Sequence, residues 1–421
     1  MNISIVHVII LLASNGWLSI FQLDEDISKE LYRNAADFYY DHNQLDSAYY
    51  YTSKIFELDK NNLYIGKAYY LNAFMFEKNG DHLNAIENSL NAVKYFRIAD
   101  DSKREAKSRH LLGNIYYDNY HYEGAIKNYQ ISAKLFNSIG DQESKGLILR
   151  SLGLVLRDSK GYLAAQESFI KSLKIFESLN DQELVATLLN DLGLIELDRN
   201  NYNDAKKYFI RSLNLSSSTS LAQVNEAWFN HNMGVLNLQQ SKLSEAKLFF
   251  EKSIFLMQEL EMNKYLPSIY NDLASLNLKE KDTIDASELF ELSKNVSLEY
   301  GNSTELIEAT SNLKNIYKSR SNYDLAFANV DLMELEMKKR LEMTDKLERL
   351  NAKYEIVLAN SRKEVFAIKQ EALYNKRVLI ISFTVLFFMV ALYSVQIRFK
   401  HKKMRFFLSE IDTEVRGEQN P

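Results

Sequence analysis

Residues 149–176 read LRSLGLVLRDSKGYLAAQESFIKSLKIF, and residues 189–216 read LNDLGLIELDRNNYNDAKKYFIRSLNLS. Laid over each other they match at Leu152 and Leu192, Gly153 and Gly193, Ala165 and Ala205, and Phe169 and Phe209. The same register extends in both directions. A small residue recurs at Ala36, Ala73, Gly113, Gly153, Gly193, Gly234 and Ala274, with Lys314 in the eighth place. Twelve positions after each stands an alanine: Ala48, Ala85, Ala125, Ala165, Ala205, Ala246, Ala286 and Ala326, at gaps of 37, 40, 40, 40, 41, 40 and 40 residues. A period of this length marks a stack of identical supersecondary units.

The residue types carry a physical reason. Where two antiparallel helices cross closely, a side chain larger than methyl forces the backbones apart, so the crossing takes small residues. Large ones fill the wedge beside it, as Leu112 with Tyr129 and Met233 with Phe250. Turn residues fall at Asn79-Gly80-Asp81, Lys160-Gly161 and Asn200-Asn201 within units, and at Gly140-Asp141-Gln142 and Asn180-Asp181-Gln182 between them. Composition agrees: in 421 residues there are 13 Gly and 2 Pro, too few to punctuate loop-rich domains, while 26 Tyr and 23 Phe supply core.

This pattern resembles the tetratricopeptide repeat over roughly Leu31 to Met337, with the family's trailing proline missing and each helix longer than usual. The resemblance implies an all-α fold, a right-handed superhelix of eight helix-turn-helix repeats over residues 28–334. It also implies an inner wall lined by the first helix of each repeat. The position three before the small residue is then His110, Arg150, Asn190, His231, Asn271 and Ser311, and the position after it in repeat three is Asn114. Amides there can hold an extended peptide backbone, and Arg150 could take a carboxylate in a fork. The competing reading is a solvated polar helix face. A protein or peptide ligand in this groove is the expected partner.

Several functions are disfavoured. A net charge of −5 gives no basic field, so no nucleic-acid partner is expected. There is no cysteine, and the seven histidines lack ligand spacing, so neither metal nor cofactor is expected. Without a phosphate loop, nucleophile elbow or kinase signature, no catalytic residue is assigned and the chain is read as a non-enzyme.

Two apolar segments lie outside the repeats. Residues 1–22 contain the run Ile3–Ala13 followed by Ser14-Asn15-Gly16, readable as a secretory leader or as an apolar helix capping the first repeat, with no Lys or Arg before Lys29. Residues 378–397 include eighteen consecutive uncharged positions, VLIISFTVLFFMVALYSV, the length that crosses a bilayer core. After it Arg398, Lys400, Lys402, Lys403 and Arg405 outnumber Lys369, Lys376 and Arg377 on the entry side, which points to a cytoplasmic tail, 398–421, and an exported solenoid. The alternative is a cytoplasmic solenoid with a C-terminal tail anchor.

Between solenoid and span, residues 335–377 lack Gly and Pro and read as a long helical stalk. A heptad frame through Val330, Met333, Met337, Arg340, Thr344, Leu347, Asn351 and Tyr354, continuing to Asn375, is apolar at nine of fourteen core positions. It predicts a coiled coil and a parallel homodimer, against the alternative of one amphipathic helix folding back on the solenoid. The order of leader, repeats, coiled coil and single span resembles bacterial membrane sensory proteins, except that the 26 residues after Val395 are too few for their output domain. The expected function is a membrane-anchored peptide- or protein-binding scaffold, the input or adaptor part of a signalling system. The alternatives are an envelope-assembly scaffold, or a truncated relative of a tetratricopeptide-containing membrane transcriptional regulator or sensor kinase.

Overall fold

A computed structural model describes residues 26–417 apart from Asn43, Asp59, Lys60 and Ser218, and beyond Tyr354 it describes only part of the side chains. The expected leader, 1–22, lies outside the described residues. Among these the fold is all-α, without a strand. Eight helix pairs follow one another: α1 (26–40) with α2 (Leu45–Leu58), α3 (Asn62–Lys78) with α4 (His82–Ile98), α5 (Ser102–Asp118) with α6 (Tyr122–Ser138), and α7 (Gln142–Asp158) with α8 (Tyr162–Leu179). Next come α9 (Gln182–Asp198) with α10 (Tyr202–Ser216), α11 (Ala222–Gln239) with α12 (Leu243–Glu259), and α13 (Leu266–Lys279) with α14 (Thr283–Tyr300). Last, α15 (Ser303–Ser319) pairs with the start of α16 (Tyr323–Gly417). These are the eight repeats expected from the alanine series.

The period is set at the helix ends. A left-handed residue stands about every twenty positions, at Gly80, Asp100, Tyr120, Gly140, Lys160, Asn180 and Asn200, and again at Ser241, Glu261, Lys281, Gly301 and Ser321. There the chain reverses and frees two amides that cap the last carbonyls: Gly140 N donates to Asn137 O at 3.3 Å and Asp141 N to Phe136 O at 3.0 Å. The residue after the reversal caps the next helix. Asp101, Asp141 and Asp181 each accept from the backbone amide three residues on, at 2.9, 3.0 and 3.0 Å. The α10–α11 connection departs from this form. It is a longer turn ending at Leu221, and it accounts for the single 41-residue gap.

Inside the repeats the small residue makes room for a ring rather than for a backbone. A methyl group added at Gly113, Gly193 or Gly234 would lie 2.5–2.6 Å from the ring of Tyr129, Phe209 or Phe250, and Gly153 faces Phe169 in the same way. The expectation that methyl is tolerated there is corrected for these four repeats. In repeat two the volumes are exchanged: Ala73 stands where the glycine is, and Ser89 where the ring is. A second device repeats beside it. Ser132, Ser172, Ser212, Ser253 and Ser293, all buried, donate to the carbonyls of Ala106, Gly146, Ala186, Ala227 and Pro267 at 2.7–3.1 Å, each clamping a second helix to its own first helix.

The chain divides into two units, one through Tyr354 and one from Glu355 onward. In the first, α16 begins as the second helix of repeat eight and runs on past it to lie against α4. Leu347 and Tyr354 are 0% and 5% exposed, and the Tyr354 hydroxyl donates to Glu87 Oε1 at 2.9 Å and accepts from Asn91 Nδ2 at 3.3 Å. The heptad stripe thus has, through Tyr354, a partner in its own chain, as the fold-back alternative foresaw. Arg340, Leu347 and Tyr354 lie seven apart, and a stripe of that spacing suits any parallel or antiparallel helical neighbour.

In the second unit α16 carries exposed Ile356, Phe366, Leu373 and Tyr374, then Val378, Leu379, Ile380 and Ile381, then Val385, Phe388, Met389 and Leu392. Among the described residues no helix is long and apolar enough to cross a membrane. Phe383, Leu386, Phe387, Val390, Ala391 and Tyr393 to Val395, all within the expected span, are among the side chains not described, as are Arg398, Lys400, Lys402, Lys403 and Arg405.

Candidate functional site: the wall of first helices

The first helices α7, α9, α11, α13 and α15 pack on one another in order, so one face of each joins a continuous wall. Most of the polar residues singled out for it are already engaged. Arg150 Nε donates to Asp191 Oδ2 at 2.6 Å, Asn190 Oδ1 accepts from Asn232 Nδ2 at 2.7 Å, and His231 Nε2 lies 2.8 Å from Asp272 Oδ2. His110 Nε2 is 3.5 Å from Ser151 Oγ, and Asn271 Nδ2 donates to Glu305 O at 3.1 Å and Glu308 Oε2 at 3.3 Å. Asn114 Oδ1 accepts from Tyr129 OH of its own repeat at 2.8 Å.

The result is a polar ladder that stitches each repeat to the next. Its other rails, Ser151, Asp191, Asn232 and Asp272, were missed by sequence reasoning. The available signal was their place: each stands two residues before the small residue, 41 or 42 positions from its partner. The guanidinium of Arg150, offered to a ligand carboxylate in the sequence reading, is shared with the buried Asp191. Half-buried, it keeps an exposed edge on the wall.

One stretch of wall opens into a pocket of about 290 Å³. Tyr70 and Phe74 of α3, His110 and Asn114 of α5, and Leu147 and Ile148 of α7 line it, with Lys107 at its rim. Two of the seven residues singled out from sequence therefore meet in one cavity. Burial pulls the His110 imidazole down to about 4, so near neutral pH it is an uncharged donor and acceptor. A concave, mostly aromatic and aliphatic pocket with a neutral imidazole, a carboxamide and one ammonium suits an uncharged or acidic side chain on an extended chain.

The far end of the wall differs. Glu308 is raised by burial and by the nearby Asp272, so carboxyl groups crowd there, and Asn271 Oδ1 is buried with no partner. Among the described residues no group of three or more His, Asp or Glu is placed to hold a metal.

Helix pairs repeated at a nearly constant period, stacked through a polar ladder with an inner pocket, define an α-helical repeat solenoid. Residues 144–218 match the family profile described as Tetratricopeptide repeat. The 40-residue unit carries the same helix pair on both sides of that match, which supports reading the whole solenoid as tetratricopeptide repeats. No curated protein sequence matches it. Among solved structures it is similar to the apo form of RapI (TM-score 0.51, 15% identity, over 66% of this chain and 99% of that one). It is also similar to a Rap protein complexed with competence and sporulation factor (0.51, 13%, 76% and 99%). NprR in complex with its cognate peptide NprX is a third (0.51, 15%, 80% and 99%). At such identities the likeness is one of fold.

Proposed function

We propose that the protein is a membrane-anchored receptor or scaffold that holds a segment of extended peptide on the wall of first helices, centred on the pocket between α3, α5 and α7. The observation that carries this is the meeting of His110 and Asn114 with Tyr70, Phe74 and Leu147 in one cavity, on a wall whose other polar groups keep it rigid. That NprR is solved with its cognate peptide NprX, and a Rap conjugation gene regulator with the Phr* peptide, on a similar fold supports it. The test is selection of displayed peptides on the solenoid. Peptides retained by the native chain should be lost on Asn114→Leu and weakened by Lys107→Glu. If every selected peptide binds both variants as well as the native chain, the pocket is not the site.

The anchor in this proposal is residues 378–397. Its supports are the uncharged run and the exposure of Val378, Leu379, Ile380 and Ile381, four consecutive residues that together face all sides of a helix. The basic cluster Arg398–Arg405 supports a cytoplasmic tail and an exported solenoid, feeding a signal to another chain. Because the chain has no cysteine, a single Leu163→Cys, on the exposed face of α8, reports the side directly. Labelling by a membrane-impermeant maleimide in spheroplasts supports export; labelling only after lysis places the solenoid in the cytoplasm.

A further inference from the structure

Among the described residues the left-handed turn residues are Gly, Asn, Asp, Ser, Lys or Glu at every position but one. The exception is Tyr120, with φ 60°, at the α5–α6 turn. A bulky side chain in this region is strained, and such strain persists where the surroundings hold it. Tyr120 is held from two directions. Thr304 Oγ1, in the first turn of α15 and 184 positions away, donates to its hydroxyl at 2.9 Å, and the Arg340 guanidinium of α16 stacks 3.5 Å from its ring centre. One turn residue of repeat three thereby fastens both the start of α15 and the overrunning part of α16, whose next two stripe positions, Leu347 and Tyr354, close on α4.

We propose that Tyr120 is a latch joining the pocket to the docking of α16. Asn114 lies one helical turn before the end of α5 at Asp118, and Tyr120 stands two residues past that end, in the turn itself. A shift of α5 as the pocket fills moves Tyr120 against Thr304 and Arg340. Contacts of this kind are either made or broken rather than deformed smoothly. Releasing the latch undocks Arg340, Leu347 and Tyr354 together and frees the same helix that carries residues 378–397. The pocket half of the coupling rests on the proposed function; the latch half does not.

The experiment is hydrogen exchange on the full-length chain in lipid nanodiscs, without ligand, comparing the native protein with Tyr120→Asn and Arg340→Gln. Asparagine is at ease at positive φ, so the turn survives. Exchange should quicken about tenfold in three separate places, residues 303–307, 340–354 and 83–91, in both variants. Changes confined to residues 117–124 would overturn the latch. A third sample, Leu147→Cys labelled with a pyrene maleimide to wedge the pocket, should quicken exchange at 340–354 as well. If the two substitutions act and the wedge does not, the latch stands and its coupling to the pocket is overturned.

Discussion

Repeats two and four match in helix length to within one residue, and share a left-handed reversal between their helices and the same alanine register, yet they fill their interiors differently. Repeat four puts Gly153 under the ring of Phe169 and clamps Ser172 to Gly146 O at 2.7 Å. Repeat two puts Ala73 opposite Ser89, and at the clamp position carries Ala92. Its own Ser89 is fully buried with no partner for the hydroxyl. The difference teaches that period and packing are separate specifications. Caps and reversals fix the first, and a sum of side-chain volumes across the helix pair fixes the second.

The largest break in that comparison comes from giving repeat four the small residue of repeat two. Gly153→Ala drives a methyl into the Phe169 ring and should cost about 3 kcal/mol, read as loss of hydrogen-exchange protection in α7 and α8. Adding Phe169→Leu should recover roughly 1 kcal/mol of the sum of the two single losses, because the substitutions share one space. Strict additivity would show that the glycine serves something other than the ring. The reverse change, Ala73→Gly, meets no ring and should cost only the helix propensity, about 1 kcal/mol.

The sequence disclosed the period, the eight pairs and the turns, because small residues, alanines and turn formers recur as single letters at fixed spacing. It disclosed less of the site. His110, Arg150, Asn190, His231 and Asn271 could be picked out by register, but their commitment to Ser151, Asp191, Asn232, Asp272 and Glu308 depends on how far each repeat rotates over the last. No single repeat contains that angle. The heptad stripe shows the same gap: spacing reported that Arg340, Leu347 and Tyr354 want a helical neighbour and could not say that α4 is within reach.

Acid acts on one rung of the ladder. His110 is buried, 3.5 Å from the Ser151 hydroxyl and beside the Tyr129 ring. With the folded value at about 4 against 6.5 in the unfolded chain, the unfolded state binds the extra proton as pH falls. The stability owed to a neutral His110 is therefore complete above pH 6.5 and is lost progressively down to pH 4, to an extent of roughly 2–3 kcal/mol. His110→Leu should flatten that part of the profile between pH 4 and 6.5 relative to the native chain; an unchanged slope would assign it to other groups.

The two buried serines divide the comparison more finely. Ser172→Ala removes a made bond and strands the Gly146 carbonyl, at a cost of about 1–2 kcal/mol. Ser89→Ala removes a hydroxyl that has nothing to bond, and should be neutral or stabilising by up to about 1 kcal/mol. Equal losses from both would mean that Ser89 has an unseen acceptor and that repeat two is clamped after all.

The smallest effect lies at the turns, the feature the two repeats share most closely. Repeat two reverses its chain at Gly80 and repeat four at Lys160, with φ of 73° and 65°. Lysine pays for that conformation with contact between its Cβ and the following carbonyl, which glycine lacks. Against this, glycine has more backbone freedom to lose when the chain folds. The first term is worth about 1–2 kcal/mol and the second about 0.5–1 kcal/mol, so Lys160→Gly should stabilise by roughly 0.5 kcal/mol. Gly80→Lys should cost the same amount, since nothing lies within 4 Å of an added Cβ there. A symmetric pair of shifts in the urea midpoint would show that the reversals are interchangeable between repeats. An asymmetric pair would show that one of them carries a contact beyond its own backbone, as Tyr120 does.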